Sequence, residues 1–244
     1  SNPNQPLLHR LLLEAPGTYH HSIIVANLAD AAANAIGANA LLARVGAYYH
    51  DVGKLKRPMY FKENQIGDNP HDRTDPRVST AILTAHTRDG AQMAQKEHLP
   101  CEIIDIIKSH HGDSPVLYFY DKAKKLYGDD VDISTFRYEG PRPAGREAAI
   151  VMLADIIEAA TRSMPSHDPQ KIEQLVRKLV RDKLTDGQLD RSQLTFRDLD
   201  TICNAFYTVL TGVFHERIEY PDVKLPPRIE PLPEAPEKDG DKEA

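Results

Sequence analysis

The sequence predicts an all-α protein, and three observations lead to this expectation. Apolar residues recur every three to four positions in several segments, as expected for helices with one buried face. Glycines and prolines interrupt these segments at lengths typical of helices. No segment shows the strict apolar and polar alternation of a half-buried strand. With 244 residues, 41% of them hydrophobic, the chain is long enough to form one compact helical domain.

The first predicted helices precede a long irregular connection. A short apolar helix over residues 7–13 is followed by one from about residue 19 to Gly37, with Thr18 as its N-cap. A third helix covers residues 39–51 and ends before Gly53. Residues 56–76 contain three prolines and a glycine, and a connection of this length is more often a functional lid than a passive linker.

Six further helices are expected beyond this connection, over residues 77–97, 100–111, 115–127, 146–164, 172–184 and 196–219. Residues 128–145 form a charged loop. The first six residues and the charged, proline-rich residues 221–244 are expected to be disordered. The folded domain should therefore run from residue 7 to residue 220.

Composition excludes several classes of protein. The formal net charge of −6 argues against a general binder of nucleic-acid polymers, which would carry a basic excess. Cys101 and Cys203 are not in a Cys-x-x-Cys spacing, so neither a disulfide framework nor a zinc ribbon is indicated. No apolar run reaches the roughly 20 residues that span a bilayer. The chain itself is expected to be soluble, in a reducing compartment.

Seven ionisable side chains lie on or at the ends of different predicted helices. A lone buried histidine is more often a hydrogen-bonded core residue than a metal ligand, and paired histidines also suit an exposed helix end. A carboxylate inside the most apolar helix, however, needs a cation or several donors. Helical bundles commonly build metal sites from such side chains. The candidates are His21, His50, Asp51, His86, His110, His111 and Asp155.

This series resembles the metal signature of HD-domain phosphohydrolases, and Gly53-Lys54 completes the His-Asp-x-Gly-Lys form of their phosphodiesterase branches. Segments 16–22, 56–58, 63–65, 69–72 and 214–221 resemble the cytosolic catalytic domain of PgpH-type membrane proteins, a family that hydrolyses cyclic-di-AMP. The resemblance runs from about residue 7 to residue 220. The Gly-Tyr-Pro element of HD-GYP enzymes, which act on cyclic-di-GMP, does not follow His110-His111.

The resemblance implies an HD-domain helical bundle with a dinuclear centre of divalent transition metals, iron or manganese. A hydroxide bridging the two ions would attack cyclic-di-AMP and release the linear dinucleotide pApA. Lys54 is expected to act at the leaving oxygen. The ligands would be His21, His50, Asp51 and Asp155 for the first ion, and Asp51, His86, His110 and His111 for the second, with the Asp51 carboxylate bridging.

Substrate contacts are expected from basic and aromatic side chains near these segments. Arg162 is the first candidate for the second phosphate, with Arg73 and Arg77 as alternatives. The adenine bases would stack on aromatic rings. The candidate rings are Tyr60, Phe61, Tyr118 and Tyr120.

Two other interpretations retain the predicted fold but assign a different function. The same site could act on another nucleotide, such as a dNTP, a guanosine alarmone or an RNA end. Alternatively, the chain could be a non-catalytic module that senses nucleotides, although every expected ligand position is filled. PgpH-type proteins carry extracellular and membrane segments ahead of this domain, so the resemblance places the chain on the cytoplasmic side of the bacterial membrane, within a longer protein.

Overall fold

The regular structure of residues 5–213, the part described by the computed structural model, is helical. Five short 3-10 turns accompany the helices, and the pairing of Pro115 with Arg137 is an isolated bridge. The all-α prediction is confirmed. The helices are α1 (Pro6–Glu14), α2 (Pro16–Ala35), α3 (Ala40–Tyr49), α4 (Pro76–Lys96), α5 (Cys101–Ser109), α6 (Leu117–Tyr127), α7 (Arg146–Arg162), α8 (Pro169–Thr185) and α9 (Phe196–Val213).

The start of α2 differs from the prediction. The helix begins at Pro16, where a missing N–H group carries no penalty, so Thr18 lies in the first turn and is not the N-cap. Thr18 instead connects α2 to a distant turn. Its backbone N–H donates to Asn64 Oδ1 at 3.1 Å, and its hydroxyl donates to Glu63 Oε1 at 3.1 Å.

The last two helices begin with side-chain caps. Helix α8 starts three residues earlier than predicted, because Asp168 Oδ1 accepts from the backbone N–H groups of the first turn. Helix α9 starts after Thr195, as predicted: Asp198 N–H donates to Thr195 Oγ1, and Thr195 N–H donates to Asp198 Oδ2. Its predicted end near residue 219 and the predicted disorder of residues 1–4 and 221–244 lie outside the described residues. The predicted disorder of residues 1–6 is wrong at Pro6, which begins α1 because proline suits the first turn of a helix.

Helix α7 is the central helix of the bundle. Its residues 148–154 are all buried, and α2, α3, α5 and α8 pack around it. A helix that is apolar on all sides belongs in the interior. This packing forces Asp155, which continues the same helix, into the interior as well.

The predicted lid is an ordered chain of 3-10 turns. The turns cover Val52–Lys56, Pro58–Tyr60, Lys62–Asn64 and Pro70–Arg73. Gly17 allows this segment to approach α2 closely, because a Cβ atom there would lie 1.9 Å from the Glu63 carbonyl oxygen. No helix within residues 5–213 is both long and apolar enough to cross a bilayer.

Candidate metal centre

The seven side chains predicted as ligands converge between α2, the end of α3, α4, the end of α5 and α7. They form two groups, and within each group the candidate ligand atoms lie within 4.8 Å of one another. Each of these helices buries apolar side chains in the core, and this packing carries its candidate ligand into the interior. The first group contains His21, His50, Asp51 and Asp155, and the second contains His86, His110 and His111.

Asp51 connects the two groups through different oxygen atoms. Its Oδ2 lies 3.6 Å from His21 Nε2 and 3.3 Å from His50 Nε2. Its Oδ1 lies 3.3 Å from His86 Nε2 and 3.6 Å from His110 Nε2. The carboxylate therefore faces both groups at once.

Three histidines are oriented by the backbone of their own helices. In His50, His86 and His110, Nδ1 donates to the carbonyl oxygen three residues earlier, and this hydrogen bond assigns the proton to Nδ1. The Nε2 atom then faces the centre, and in its unprotonated form it can donate a lone pair to a metal ion. The accepting carbonyls belong to Ala47, Leu83 and Ile107, at 2.6, 2.6 and 2.8 Å respectively.

His21 is held by a carboxylate instead of a carbonyl. Its Nδ1 is hydrogen-bonded to Glu158 Oε2, and its Nε2 lies 3.0 Å from Asp155 Oδ1. Burial alone would lower the pKa of His21, but these two carboxylates outweigh it and raise the pKa. Glu158 was not among the residues predicted from the sequence. Its position three residues after Asp155, on the buried side of an apolar helix, was the available signal.

The donor set fits divalent metal ions. The Nε2 atoms of His86 and His110 lie 3.2 Å apart, although both rings have their protons on Nδ1, so two lone pairs face each other. His50 Nε2 and Asp51 Oδ1 are buried without a well-aligned hydrogen bond in the described structure, whereas Asp51 Oδ2 has the ammonium of Lys54 as its partner. Buried polar atoms need partners, and a cation among these atoms would supply them.

The protonation state of His86 also suits a ligand. Burial lowers its pKa to about 4, and the ammonium of Lys54 acts in the same direction against the attraction of Asp51. The ring is therefore neutral at pH 7, as metal coordination requires.

Lys54 is held between two carboxylates. Its Nζ lies 2.7 Å from both Asp51 Oδ2 and Glu63 Oε1, and 4.9 Å from the centroid of the Phe61 ring. Burial alone would lower the pKa of Lys54, but Asp51 and Glu63 outweigh it and raise the pKa above its usual value. The ammonium is thus a fixed positive charge beside the centre, and a poor proton donor.

The centre opens to solvent on one side. The His111 side chain is 25% exposed and that of Asp155 is 10% exposed, whereas those of the other five candidate ligands are at most 2% exposed. The ring of Tyr138 stacks on His111 with centroids 4.3 Å apart. A substrate would therefore approach from the side of His111 and Asp155.

The four aromatic residues predicted to stack on adenine lie in different surroundings. Phe61 is buried and packs edge-on against His86, with ring centroids 5.6 Å apart, so it forms part of the wall of the centre. Within residues 5–213 the rings of Tyr60, Tyr118 and Tyr120 pack against rings that do not belong to candidate ligands, namely those of His71, Phe119 and Phe136. Their role in adenine binding stays a prediction.

The three predicted arginines are also separated. Arg162 Nη2 lies 3.6 Å from Glu158 Oε2, directly behind His21. Arg73 is exposed and lies 3.5 Å from Asp68, and Arg77 lies over a tyrosine ring of α6. Within the described residues, Arg162 is therefore the one of the three arginines that contacts a residue next to the centre. Its guanidinium already has the carboxylate of Glu158 as a partner.

Comparison with known proteins gives a consistent result. The HD domain family matches residues 18–160. The chain is 55% identical over 223 residues to the cyclic-di-AMP phosphodiesterase PgpH of Bacillus subtilis strain 168, and 47% identical over 225 residues to that of Listeria monocytogenes strain 10403S. These alignments cover 91% and 92% of this chain, and 31% of each relative, so the chain spans less than a third of their length.

A solved structure agrees with these matches. The crystal structure of the L. monocytogenes PgpH HD domain in complex with cyclic-di-AMP superposes with a TM-score of 0.84 at 46% identity. The match covers 88% of this chain and 100% of that one. The family match over residues 18–160 and the structural match to the whole PgpH HD domain show that this chain belongs to the HD-domain family, in the branch that contains the PgpH HD domains.

Proposed function

We propose that this chain is a metal-dependent phosphodiesterase that hydrolyses cyclic-di-AMP to the linear dinucleotide pApA. The observation that carries the proposal is the position of Asp51, whose two oxygens face two separate groups of histidine nitrogens. Two relatives are named as cyclic-di-AMP phosphodiesterases, and a PgpH HD domain was solved with this nucleotide. These matches support the choice of substrate.

The proposed ligand sets follow the two groups. Two bound divalent ions would activate a water molecule and neutralise negative charge on the phosphodiester. Asp51 would contribute to both ions, since each of its oxygens faces one group. The first ion would be held by His21, His50, Asp51 and Asp155, and the second by Asp51, His86, His110 and His111.

Other side chains of the centre have supporting tasks. The ammonium of Lys54 would stabilise negative charge that develops on the leaving oxygen, and Glu63 keeps that ammonium in position. Phe61 and the ordered turns around it keep bulk water away from the His86 side, which strengthens electrostatic interactions. The side of His111 is left open for the nucleotide.

Iron or manganese is the proposed metal. The ligand set combines five imidazoles with two carboxylates, and nitrogen-rich sites favour transition metals over magnesium, which prefers oxygen. Metal analysis of protein purified with and without oxygen tests this choice. Magnesium as the bound ion, or no bound ion at all, would contradict it.

The domain limits and the cellular position stay predictions as well. The resemblance implies a domain over residues 7–220, and attachment to the cytoplasmic side of the membrane through other parts of a longer protein. Fractionation of the full-length protein into membrane and soluble pools tests the attachment. Recovery in the soluble pool alone would contradict it.

A substrate panel tests the proposed function. Protein reconstituted with Mn²⁺ or Fe²⁺ is incubated with cyclic-di-AMP, cyclic-di-GMP, a dNTP, a guanosine alarmone and an RNA oligonucleotide, and the products are separated by chromatography. We expect cyclic-di-AMP to be converted to pApA faster than any other compound is cleaved. Preferred cleavage of another compound would show a different substrate, and binding of cyclic-di-AMP without cleavage would show a sensing module.

A further inference from the structure

Lys183 is a half-buried cation that the catalytic proposal does not use. It lies in the last turn of α8, and its Nζ donates to Ser114 Oγ at 2.6 Å. No carboxylate oxygen of residues 5–213 lies within 4.0 Å of this ammonium. By contrast, Lys54 contacts two carboxylates and Arg162 contacts Glu158.

Ser114 connects this ammonium to the segment that follows His111, on the open side of the metal centre. Ser114 is the third residue after His111, and its carbonyl oxygen accepts from the backbone N–H of Tyr138, whose ring stacks on His111. Burial lowers the pKa of Lys183, and Asp155 is the carboxylate that offsets this effect most strongly. His111 and Asp155 are also the two candidate ligands that reach solvent.

The segment that carries Ser114 is held rigidly against the end of α8. The buried side chain of Gln188 donates to Asp113 Oδ1 at 2.6 Å and accepts from Asp113 N–H at 3.3 Å. Gly112 makes this approach possible, because a Cβ atom there would lie 2.1 Å from Gln188 Oε1. Arg142 lies 3.0 Å from the same Asp113 oxygen, so the charge of Asp113 is already compensated. The ammonium and the hydroxyl therefore form a fixed pair.

We propose that Lys183 and Ser114 bind the phosphodiester of the cyclic dinucleotide that is not being hydrolysed. This inference rests on the proposed function, since cyclic-di-AMP carries two phosphodiesters and the metal centre engages one of them. The second phosphodiester is an anion, and an ammonium without a carboxylate partner beside a hydroxyl is suited to receive it. Lys183 takes the role that was predicted from the sequence for Arg162.

Steady-state kinetics with two substrates test the proposal. Cyclic-di-AMP carries two phosphodiesters, whereas bis(p-nitrophenyl) phosphate carries one. Lys183→Met should raise the KM for cyclic-di-AMP about 10- to 100-fold, the range expected for losing a charged hydrogen-bond partner, and should affect hydrolysis of bis(p-nitrophenyl) phosphate much less. Lys178→Met is the matched control, because Lys178 lies on the exposed side of the same helix and contacts Asp182. It should behave as wild type.

Lys183→Gln serves as a second variant with the same expected selectivity. It retains a hydrogen-bond donor toward Ser114 without the charge, so it separates loss of charge from loss of packing. All variants are compared at equal metal content. Equal KM values in Lys183→Gln and Lys178→Met would overturn the proposal, as would a proportional loss on both substrates. Wild-type protein that does not cleave cyclic-di-AMP would overturn the proposed function and this inference together.

Discussion

His50 Nε2 lies 3.3 Å from Asp51 Oδ2, so two consecutive residues at the end of α3 meet side chain to side chain in the interior. Burial alone would lower the pKa of His50, but Asp51, followed by Asp155, outweighs it and raises the pKa to about 10. In the metal-free chain the His50 ring is therefore positively charged at neutral pH, with a second proton on Nε2. A metal ion bound to Nε2 must replace that proton.

Proton release on metal binding follows from this pair. At pH 7.5, below the raised pKa, each chain should release about one proton from His50 when it binds metal, whereas His86, with a pKa of about 4, should release none. Metal affinity should then weaken as the pH falls. Calorimetric titrations in two non-coordinating buffers with different ionisation enthalpies measure the released protons. The same binding enthalpy in both buffers would contradict the prediction.

Replacement of Asp51 tests the connection between the two histidine groups. Asp51→Ala should lower phosphodiesterase activity on the order of 1000-fold or more, because both ions lose a ligand, while the helical content by circular dichroism stays near wild type. Asp121→Ala is the control, since Asp121 is exposed on α6 and contacts Lys125. Activity within a few-fold of wild type in Asp51→Ala would show that Asp51 does not bridge.

Glu158 is expected to act through His21. Glu158→Ala removes the partner of Nδ1, so metal affinity should fall about 10- to 100-fold, whereas Glu158→Gln keeps a polar partner and should lose less. Glu173→Ala on the exposed part of α8 is the control. The measurement is metal retained per chain after dialysis against a chelator series. Equal retention in Glu158→Ala and Glu173→Ala would rule out this role.

Gly53 is required where the 3-10 turn after Asp51 crosses α4. A Cβ atom at this position would lie 1.9 Å from the His86 carbonyl oxygen and 2.5 Å from Gly90 N. Gly53→Ala should therefore destabilise the fold by about 1–3 kcal/mol. Gly212→Ala, in open space on α9, should change stability by at most about 1 kcal/mol. Denaturant unfolding compares the two, and equal midpoints would mean that this contact does not constrain Gly53.

The sequence was informative where a residue's chemistry conflicted with its local pattern. Asp155 in an apolar helix and His50-Asp51 at a helix end stand out, and the structure brings these residues together with the other four candidates. The order of the helices was also predictable from periodicity. The exact first residues of the helices were harder to predict. Helix α2 begins at Pro16 and helix α8 begins after its cap Asp168, but residues nearby in the sequence are equally plausible starting points.

The missed residues depend on contacts between distant segments. Glu158 meets His21 across 137 residues, and Lys183 meets Ser114 across 69. A glutamate or a lysine on an amphipathic helix has no local feature that distinguishes a buried partner from a solvated one. The same reasoning explains Thr18, whose hydroxyl looked like a cap but bonds to Glu63 instead.

Titration of chelated protein with Mn²⁺ or Fe²⁺, with cyclic-di-AMP turnover measured at each metal ratio, tests most directly whether this chain is a dinuclear phosphodiesterase. We expect no pApA from the metal-free chain, and a rise in turnover that levels off at about two ions per chain, as two ligand sets sharing Asp51 require. Turnover of cyclic-di-AMP without metal, or no turnover at any metal ratio, would contradict this assignment.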